Sequence, residues 1–271
     1  MKTTNSIAPP GLADYHRALD LVARNRHQEA VIPLRRCLAE EPNFIDARFL
    51  LARIHRRQGR RHDAFEALGE ILTAIANDGE ALAEAAEIAL FAGAEREALR
   101  LSEAAVKRAP RLDAARSLAV LLAFVLKGAP AAHRAVKRHL RERPTWGQGY
   151  SYLGFLEETL GRFPAAEEAY QSAVEIDPTD SVTLEHLKRL WRGELLEECV
   201  LAKAYSDLFV HEARELAAAG LPVKGLEAVE EWFGRFPGRI ELLEILVEAC
   251  LARGHSRKAL GLIRRVPKER M

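Results

Sequence analysis

Apolar residues recur along this chain at the spacing of one face of an α-helix. Ala166, Tyr170 and Ala173 form one such row, each three or four residues from the next. Gly161 precedes the row and Pro178 follows it, and these residue types commonly stand where a helix ends or cannot continue. The pattern therefore predicts a first helix that ends near Gly161, a turn, and a second helix that stops before Pro178.

The same pattern returns every 34 residues from residue 11 to residue 180. Five frames follow one another without an insertion: 11–44, 45–78, 79–112, 113–146 and 147–180. Position 20 of the frame is Ala30, Ala64, Ala98, Ala132 and Ala166, and position 32 is Pro42, Ala76, Pro110, Pro144 and Pro178. A small residue at position 20 lets the two helices of a frame cross closely. We therefore expect each frame to be a helix, a turn and a second helix.

The 34-residue spacing is interrupted after Asp180. The next segment, 181–205, has a helical pattern of apolar residues but is only 25 residues long. The spacing then resumes in two further frames, 206–239 and 240–271. We expect 181–205 to be a degenerate repeat with shortened helices, which should bend the array locally. Helix pairs are accordingly expected to start near residues 11, 45, 79, 113, 147, 206 and 240.

In these features the chain resembles the tetratricopeptide repeat family. The pattern of that family is most complete in the frame 147–180, at Tyr150, Leu153, Gly154, Ala166, Tyr170, Ala173 and Pro178. The resemblance implies an all-α fold, a right-handed α-solenoid of stacked antiparallel helix pairs. It also implies a surface that binds other proteins, because the first helices of the repeats line the inside of the superhelix in this family.

The composition is that of a folded protein with no overall charge preference. Hydrophobic residues make up 48% and charged residues 29% of the chain. Since 40 lysines and arginines stand against 39 acidic residues, neither nucleic acid nor an anionic membrane is an expected partner. The longest apolar run, 118–126, is far shorter than the ~20 residues that a membrane span needs. Residues 1–10 have no apolar run, so we expect a flexible N-terminal tail and a cytoplasmic protein.

No motif in the sequence indicates catalysis or metal binding. Cys37, Cys199 and Cys250 are widely spaced and include no Cys-x-x-Cys pair. His211 and Glu212 begin the run HEARE, which lacks the second histidine of a zinc protease motif. We therefore expect no enzyme activity, no metal and no cofactor.

The resemblance implies that positions 2, 5, 6, 9, 12 and 13 of each frame face a groove. An apolar set at these positions extends over the third to fifth frames: Phe91, Leu118, Leu121, Val125, Tyr152 and Phe155. Soluble proteins rarely leave such a stripe exposed. Either a partner helix or peptide fills the groove there, or the chain's own tail or C-terminal repeats do.

A polar set lies in the second and third frames. Its members are Arg53, Arg56, Arg57, Glu80, Glu84 and Glu87. These charges either form a polar part of the groove or pair with one another between repeats, where each pair contributes ~0–1 kcal/mol. The set lacks the lysines and asparagines with which one subclass of the family grips a C-terminal carboxylate.

The sequence thus predicts a non-catalytic adaptor or scaffold that binds an apolar segment or helix of a protein partner in the groove. An alternative is a regulatory or targeting subunit, or a chaperone, that escorts an enzyme or a secreted client. A nucleic-acid-binding helical repeat is disfavoured by the charge balance.

Overall fold

The computed structural model of the protein describes residues 11–69, 72–194, 196 and 199–263. In these residues the regular structure is entirely α-helical, and no strand is present. The helices are α1 (Leu12–Ala23), α2 (His27–Glu40), α3 (Ile45–Arg57), α4 (Arg61–Gly69), α5 (Gly79–Phe91), α6 (Glu95–Arg108), α7 (Asp113–Lys127), α8 (Ala129–Glu142), α9 (Gly147–Thr159), α10 (Phe163–Ile176), α11 (Ser181–Trp191), α12 (Val200–Ala218), α13 (Val223–Arg235), α14 (Ile240–Ala252) and α15 (Ser256–Ile263). The predicted all-α fold is confirmed. The expected tail, 1–10, and the end of the last frame, 264–271, lie outside the described residues.

The 34-residue spacing sets where the first helix of each pair begins. Helices start at residues 12, 45, 79, 113, 147 and 240, within one residue of the predicted starts. Glycines end several of the first helices, as Gly93 and Gly161 show with backbone φ angles of +83° and +72°. A β-carbon is strained in that left-handed conformation, which is why glycine recurs at this position.

Close crossing of paired helices explains the small residues of the repeat. Ala166 is fully buried where α10 crosses α9. A β-carbon added to Gly154 would lie only 2.5 Å from the Tyr170 ring of α10. A larger residue at position 154 would therefore push the two helices apart.

The segment 181–205 differs from the expected pair of short helices. It holds a single helix, α11, followed by a connection and the start of α12 at Val200, six residues before the predicted start at 206. Gly193, with φ of +72°, lies just beyond the end of α11. Leu201 and Tyr205 are buried at helical spacing with Phe209, so one continuous apolar face extends α12 toward its N-terminus.

The described helices divide into two compact units. Unit 1 contains α1–α4, the end of α12 from Ala213, and α13–α15. In this unit Arg61 bonds to Glu231 at 2.5 Å, and its guanidinium lies 5.6 Å from the centre of the Trp232 ring. Unit 2, residues 77–212, contains α5–α11 and the first part of α12. None of the described helices combines the length and the hydrophobicity that crossing a membrane requires.

Candidate partner-binding cleft

A cavity of about 1030 Å³, here called the cleft, opens within unit 2. Its walls come from α9, from α11 and from the first turns of α12. The lining residues on these helices are Gln148, Ser151, Tyr152 and Phe155 of α9, Val182, Thr183, Glu185, His186 and Arg189 of α11, and Val200, Lys203, Ala204 and Asp207 of α12. Arg192, Glu194 and Leu196 add to the rim between α11 and α12.

The α9 and α11 walls use equivalent positions of the repeat. Tyr152 and Phe155 stand at positions 6 and 9 of the frame that begins at residue 147. His186 and Arg189 stand at the same positions if a further frame is counted from Ser181. The groove-facing pattern therefore continues for one helix beyond Asp180, and the interruption falls after α11. Sequence analysis missed the α11 residues because it placed the interruption too early, although the 34-residue spacing itself held the signal.

The predicted apolar stripe is largely buried. Phe91, Leu118 and Leu121, here called the buried stretch, are 6%, 7% and 3% exposed. Tyr152 and Phe155 are also buried but line the cleft. The structure thus brings these two side chains together in a candidate site.

Val125, the remaining member of the predicted stripe, is more accessible than the others. Its exposed fraction is 38%, and it is not among the residues that line the cleft. Val125 therefore serves as an accessible reference position on the same helix as Leu121.

Part of α12 packs on Phe91, one member of the buried stretch. The Phe209 ring meets the Phe91 ring edge to face, with centroids 5.6 Å apart, and the Tyr205 ring lies 5.3 Å from Phe209. The Tyr205 hydroxyl donates a hydrogen bond of 3.2 Å to Glu95. The chain's own later helix therefore covers Phe91, as one of the two sequence-based alternatives had it for this part of the stripe.

Hydrogen bonds fix the aromatic floor of the cleft. Gln148 Nε2 donates to the Tyr152 hydroxyl at 3.0 Å, and the Ser117 hydroxyl donates to Gln148 Oε1 at 2.9 Å. The Trp146 ring stands edge-on to Tyr152, with centroids 6.2 Å apart. Burial raises the pKa of Tyr152 to about 12, against the opposing effect of its hydrogen bonds with Ser117 and Gln148. The floor is therefore an uncharged phenol that offers both an aromatic surface and a hydroxyl.

A buried ion pair holds the α11 wall against α9. Arg189 Nη2 lies 2.6 Å from each oxygen of Glu158, and the Tyr170 hydroxyl donates to the same carboxylate at 3.2 Å. The His186 ring stacks on Tyr170 with centroids 6.1 Å apart. Burial and the Arg189 charge lower the pKa of His186, so this ring is neutral at neutral pH. Three helices, α9 to α11, are tied together at this point.

Asp180 fixes the N-terminal end of α11. Its carboxylate accepts the Thr183 backbone N–H at 3.0 Å and the Thr183 hydroxyl at 2.5 Å. The Thr183 and Ser151 hydroxyls are themselves 2.6 Å apart, which links this cap to α9. The cap satisfies a helix-end donor that would otherwise be unpaired.

The predicted polar set is divided between the two units. Arg53, Arg56 and Arg57 lie on α3 in unit 1, whereas Glu80, Glu84 and Glu87 lie on α5 in unit 2. Arg56 and Glu84 are half-buried and the other four are exposed. Pairing across the two repeats, and a role in partner binding, stay predictions.

Among the described residues, no group of three or more histidine, cysteine or acidic side chains is placed to hold a metal ion. Cys37 and Cys250 are buried free thiols, and Cys199 is a half-buried one.

Comparisons with known proteins identify the fold. No protein family model matches the sequence, and no curated protein is significantly similar to it. Solved structures do match. A tetratricopeptide repeat protein from Parabacteroides merdae is similar with a TM-score of 0.55 and 16% identity, over 89% of this chain and 99% of that one.

Two further structures have the same architecture. YrrB, described as a tetratricopeptide repeat protein with an unusual peptide-binding site, has a TM-score of 0.53 and 15% identity, over 66% of this chain and 92% of its own. MamA has a TM-score of 0.54 and 15% identity, over 64% of this chain and 94% of its own. These comparisons indicate no enzyme family. With its successive helix pairs and their 34-residue spacing, the protein therefore has the fold of tetratricopeptide repeat proteins.

Proposed function

We propose that the protein is a non-catalytic adaptor that binds a segment of a partner protein in the cleft of unit 2. The observation that carries this proposal is the repeated use of groove positions on α9 and α11 to line one cavity of about 1030 Å³. Binding clefts of this kind combine apolar walls with a few fixed polar groups. Phe155 and Val182 supply apolar surface, and the Tyr152 hydroxyl and the Gln148 amide supply hydrogen-bonding groups.

The proposed contacts with the partner involve only part of the apolar stripe that the sequence predicted. Tyr152 and Phe155 keep their proposed role in binding, together with Val182, which is 62% exposed. Phe91, Leu118 and Leu121 are left out of the proposed contacts, because they are buried and do not line the cleft. YrrB, a protein of similar fold, is described as having a peptide-binding site. A peptide is therefore the first ligand to test.

The test uses two equally exposed apolar positions. Val182 lies in the cleft, and Ile32, which is 59% exposed, lies on α2 in unit 1. A photo-crosslinking amino acid at position 182 should capture a protein segment in cells, and the same probe at position 32 should not. With a second probe placed at Ala204, which also lines the cleft, Val182→Glu should abolish capture of that segment, whereas Ile32→Glu should leave it intact. Both variants should fold, since neither side chain is buried.

The crosslinked products also separate the two functional classes. Segments from several components of one assembly support the adaptor. A single dominant enzyme or secreted client supports an escort role instead. If position 182 captures no more protein than position 32 does, the proposal of a binding cleft is wrong.

A further inference from the structure

We infer that α13 closes unit 1 as a latch, by packing on the turn between α3 and α4, and that this latch opens while the α3–α4 helix pair stays folded. The latch is the contact of Gly59 and Arg61 with Gly225, Glu231 and Trp232 of α13. This inference goes beyond the proposed function, because it concerns a conformational device in unit 1 and involves no ligand.

The latch joins parts of the chain that ordinary repeat stacking does not bring together. In a solenoid each repeat contacts only its neighbours along the chain. Arg61 and Glu231 are 170 residues apart, in the frames 45–78 and 206–239. Both belong to unit 1, although the whole of unit 2 lies between them in the sequence. The contact must therefore be specified by residues other than those that stack neighbouring repeats.

Gly59 differs from the equivalent glycines of other repeats. Gly59, Gly93 and Gly161 all stand at position 15 of their frames and have left-handed φ angles of +71°, +83° and +72°. A β-carbon added to Gly93 or Gly161 would have no atom within 4 Å, and both residues are exposed. Gly59 is buried. Ending a first helix explains all three glycines, but only the Gly59 turn is covered by another helix.

The backbone of α13 covers the Gly59 turn. A β-carbon added to Gly59 would lie 2.6 Å from the Lys224 carbonyl carbon, and closer still to the backbone nitrogen and Cα of Gly225. All three obstacles are backbone atoms, so no side-chain rotation can make room for a β-carbon. The absence of a side chain at position 59 is therefore a condition for this contact.

Arg61 provides a second anchor two residues further along. Its Nη2 lies 2.5 Å from Glu231 Oε2, and its guanidinium lies 5.6 Å from the centre of the Trp232 ring. The Trp232 side chain is only 2% exposed. Gly225 and Trp232 are seven residues apart, which places them on the same face of α13. One face of α13 therefore meets both anchors.

The anchors are narrow enough for the latch to open by itself. The Glu231 side chain is 65% exposed, so its ion pair with Arg61 is accessible to water and salt. The α3–α4 pair keeps buried residues of its own, such as Ile54 and Leu68. Opening the latch therefore costs less than unfolding this helix pair.

Amide hydrogen exchange on the full chain, followed by mass spectrometry, tests the latch. Gly59→Ala should make the amides of α13 exchange at least about tenfold faster, because the close backbone approach is blocked. Gly93→Ala is the matched control, since it introduces the same left-handed strain at the same frame position without an obstacle. It should leave exchange in α13 unchanged. In Gly59→Ala the amides in the middle of α3 and α4 should stay protected.

A second pair of variants covers the case in which Gly59→Ala does not fold. Arg61→Met removes the ion pair and the contact of a cation with the Trp232 ring, and it should speed exchange in α13 by about threefold. Arg60→Met removes an exposed arginine from the same turn and should have no such effect.

Three results would overturn the inference. One is equal exchange of α13 in Gly59→Ala and Gly93→Ala. Another is loss of protection throughout α3 and α4 together with α13, which would make the contact part of one inseparable core. If Gly59→Ala does not fold, equal exchange of α13 in Arg61→Met and Arg60→Met decides against the latch.

Discussion

The buried stretch and the cleft face the same groove of unit 2 but are built differently. In the buried stretch, the Phe209 ring of α12 packs against the Phe91 ring. In the cleft, about 1030 Å³ stays open although the repeat positions are equivalent. Position in the repeat therefore predicts which side chains face the groove, and the contact with Phe209 of α12 covers one of them, Phe91.

The two faces of α12 account for this difference. Leu201, Tyr205 and Phe209 recur every four residues, and all are at most 2% exposed. The side chains that α12 presents to the cleft are shorter or charged, as Ala204 and Lys203 are. The apolar face of α12 thus covers Phe91, and its more polar face forms a wall of the cleft.

The largest expected effect comes from a charge in the buried stretch. Leu121→Glu should destabilise the fold by more than about 4 kcal/mol, because the carboxylate would be buried without a partner at a site 3% exposed. Val125→Glu, on the same helix at a site 38% exposed, should cost less than about 1 kcal/mol. Urea unfolding followed by circular dichroism measures both. Similar losses in the two variants would contradict the distinction between buried and accessible groove positions.

Much of the fold could be predicted because its determinants are local. The alanines at position 20 and glycines such as Gly161 recur at fixed spacing, so the helix starts follow from the sequence alone. The same spacing placed Tyr152 and Phe155 on the groove face.

The occupation of the groove could not be predicted in the same way. The contact between Phe91 and Phe209 joins residues far apart in sequence and has no counterpart in the 34-residue pattern. Similarly, Arg189 acts through Glu158 on another helix, a pairing that no spacing in one frame shows. The α11 wall was missed for a simpler reason, since its apolar pattern was assigned to a degenerate repeat.

A smaller effect is expected where an ion pair, and not packed aromatic rings, holds the groove. Glu158→Gln should lower the free energy of unfolding by about 2–3 kcal/mol, since Arg189 loses its carboxylate partner while staying mostly buried. A double-mutant cycle with Arg189→Met isolates the pair. If the two single losses simply add, the ion pair does not hold α11 against α9. Capture of a protein segment by the probe at position 182 should also weaken in Glu158→Gln, because the α11 wall of the cleft would be less fixed.

The smallest effect is a contribution to the pH dependence of stability that the cleft should make and the buried stretch should not. Burial and the nearby Arg189 charge lower the pKa of His186 in the folded protein from the ordinary value of 6.5. His186 therefore binds a proton more readily in the unfolded chain than in the folded protein. The stability contributed by the neutral ring is complete well above pH 6.5 and is lost as the pH falls through that value toward the lowered pKa.

His186→Phe keeps an aromatic ring next to Tyr170 but cannot titrate, so its melting temperature should fall less than that of the wild type between pH 7 and pH 5. The buried stretch has no ionisable side chain among Phe91, Leu118 and Leu121, so Leu118→Val should leave the pH dependence of the wild type unchanged. An identical pH dependence in His186→Phe and wild type would show that another group sets the acid response.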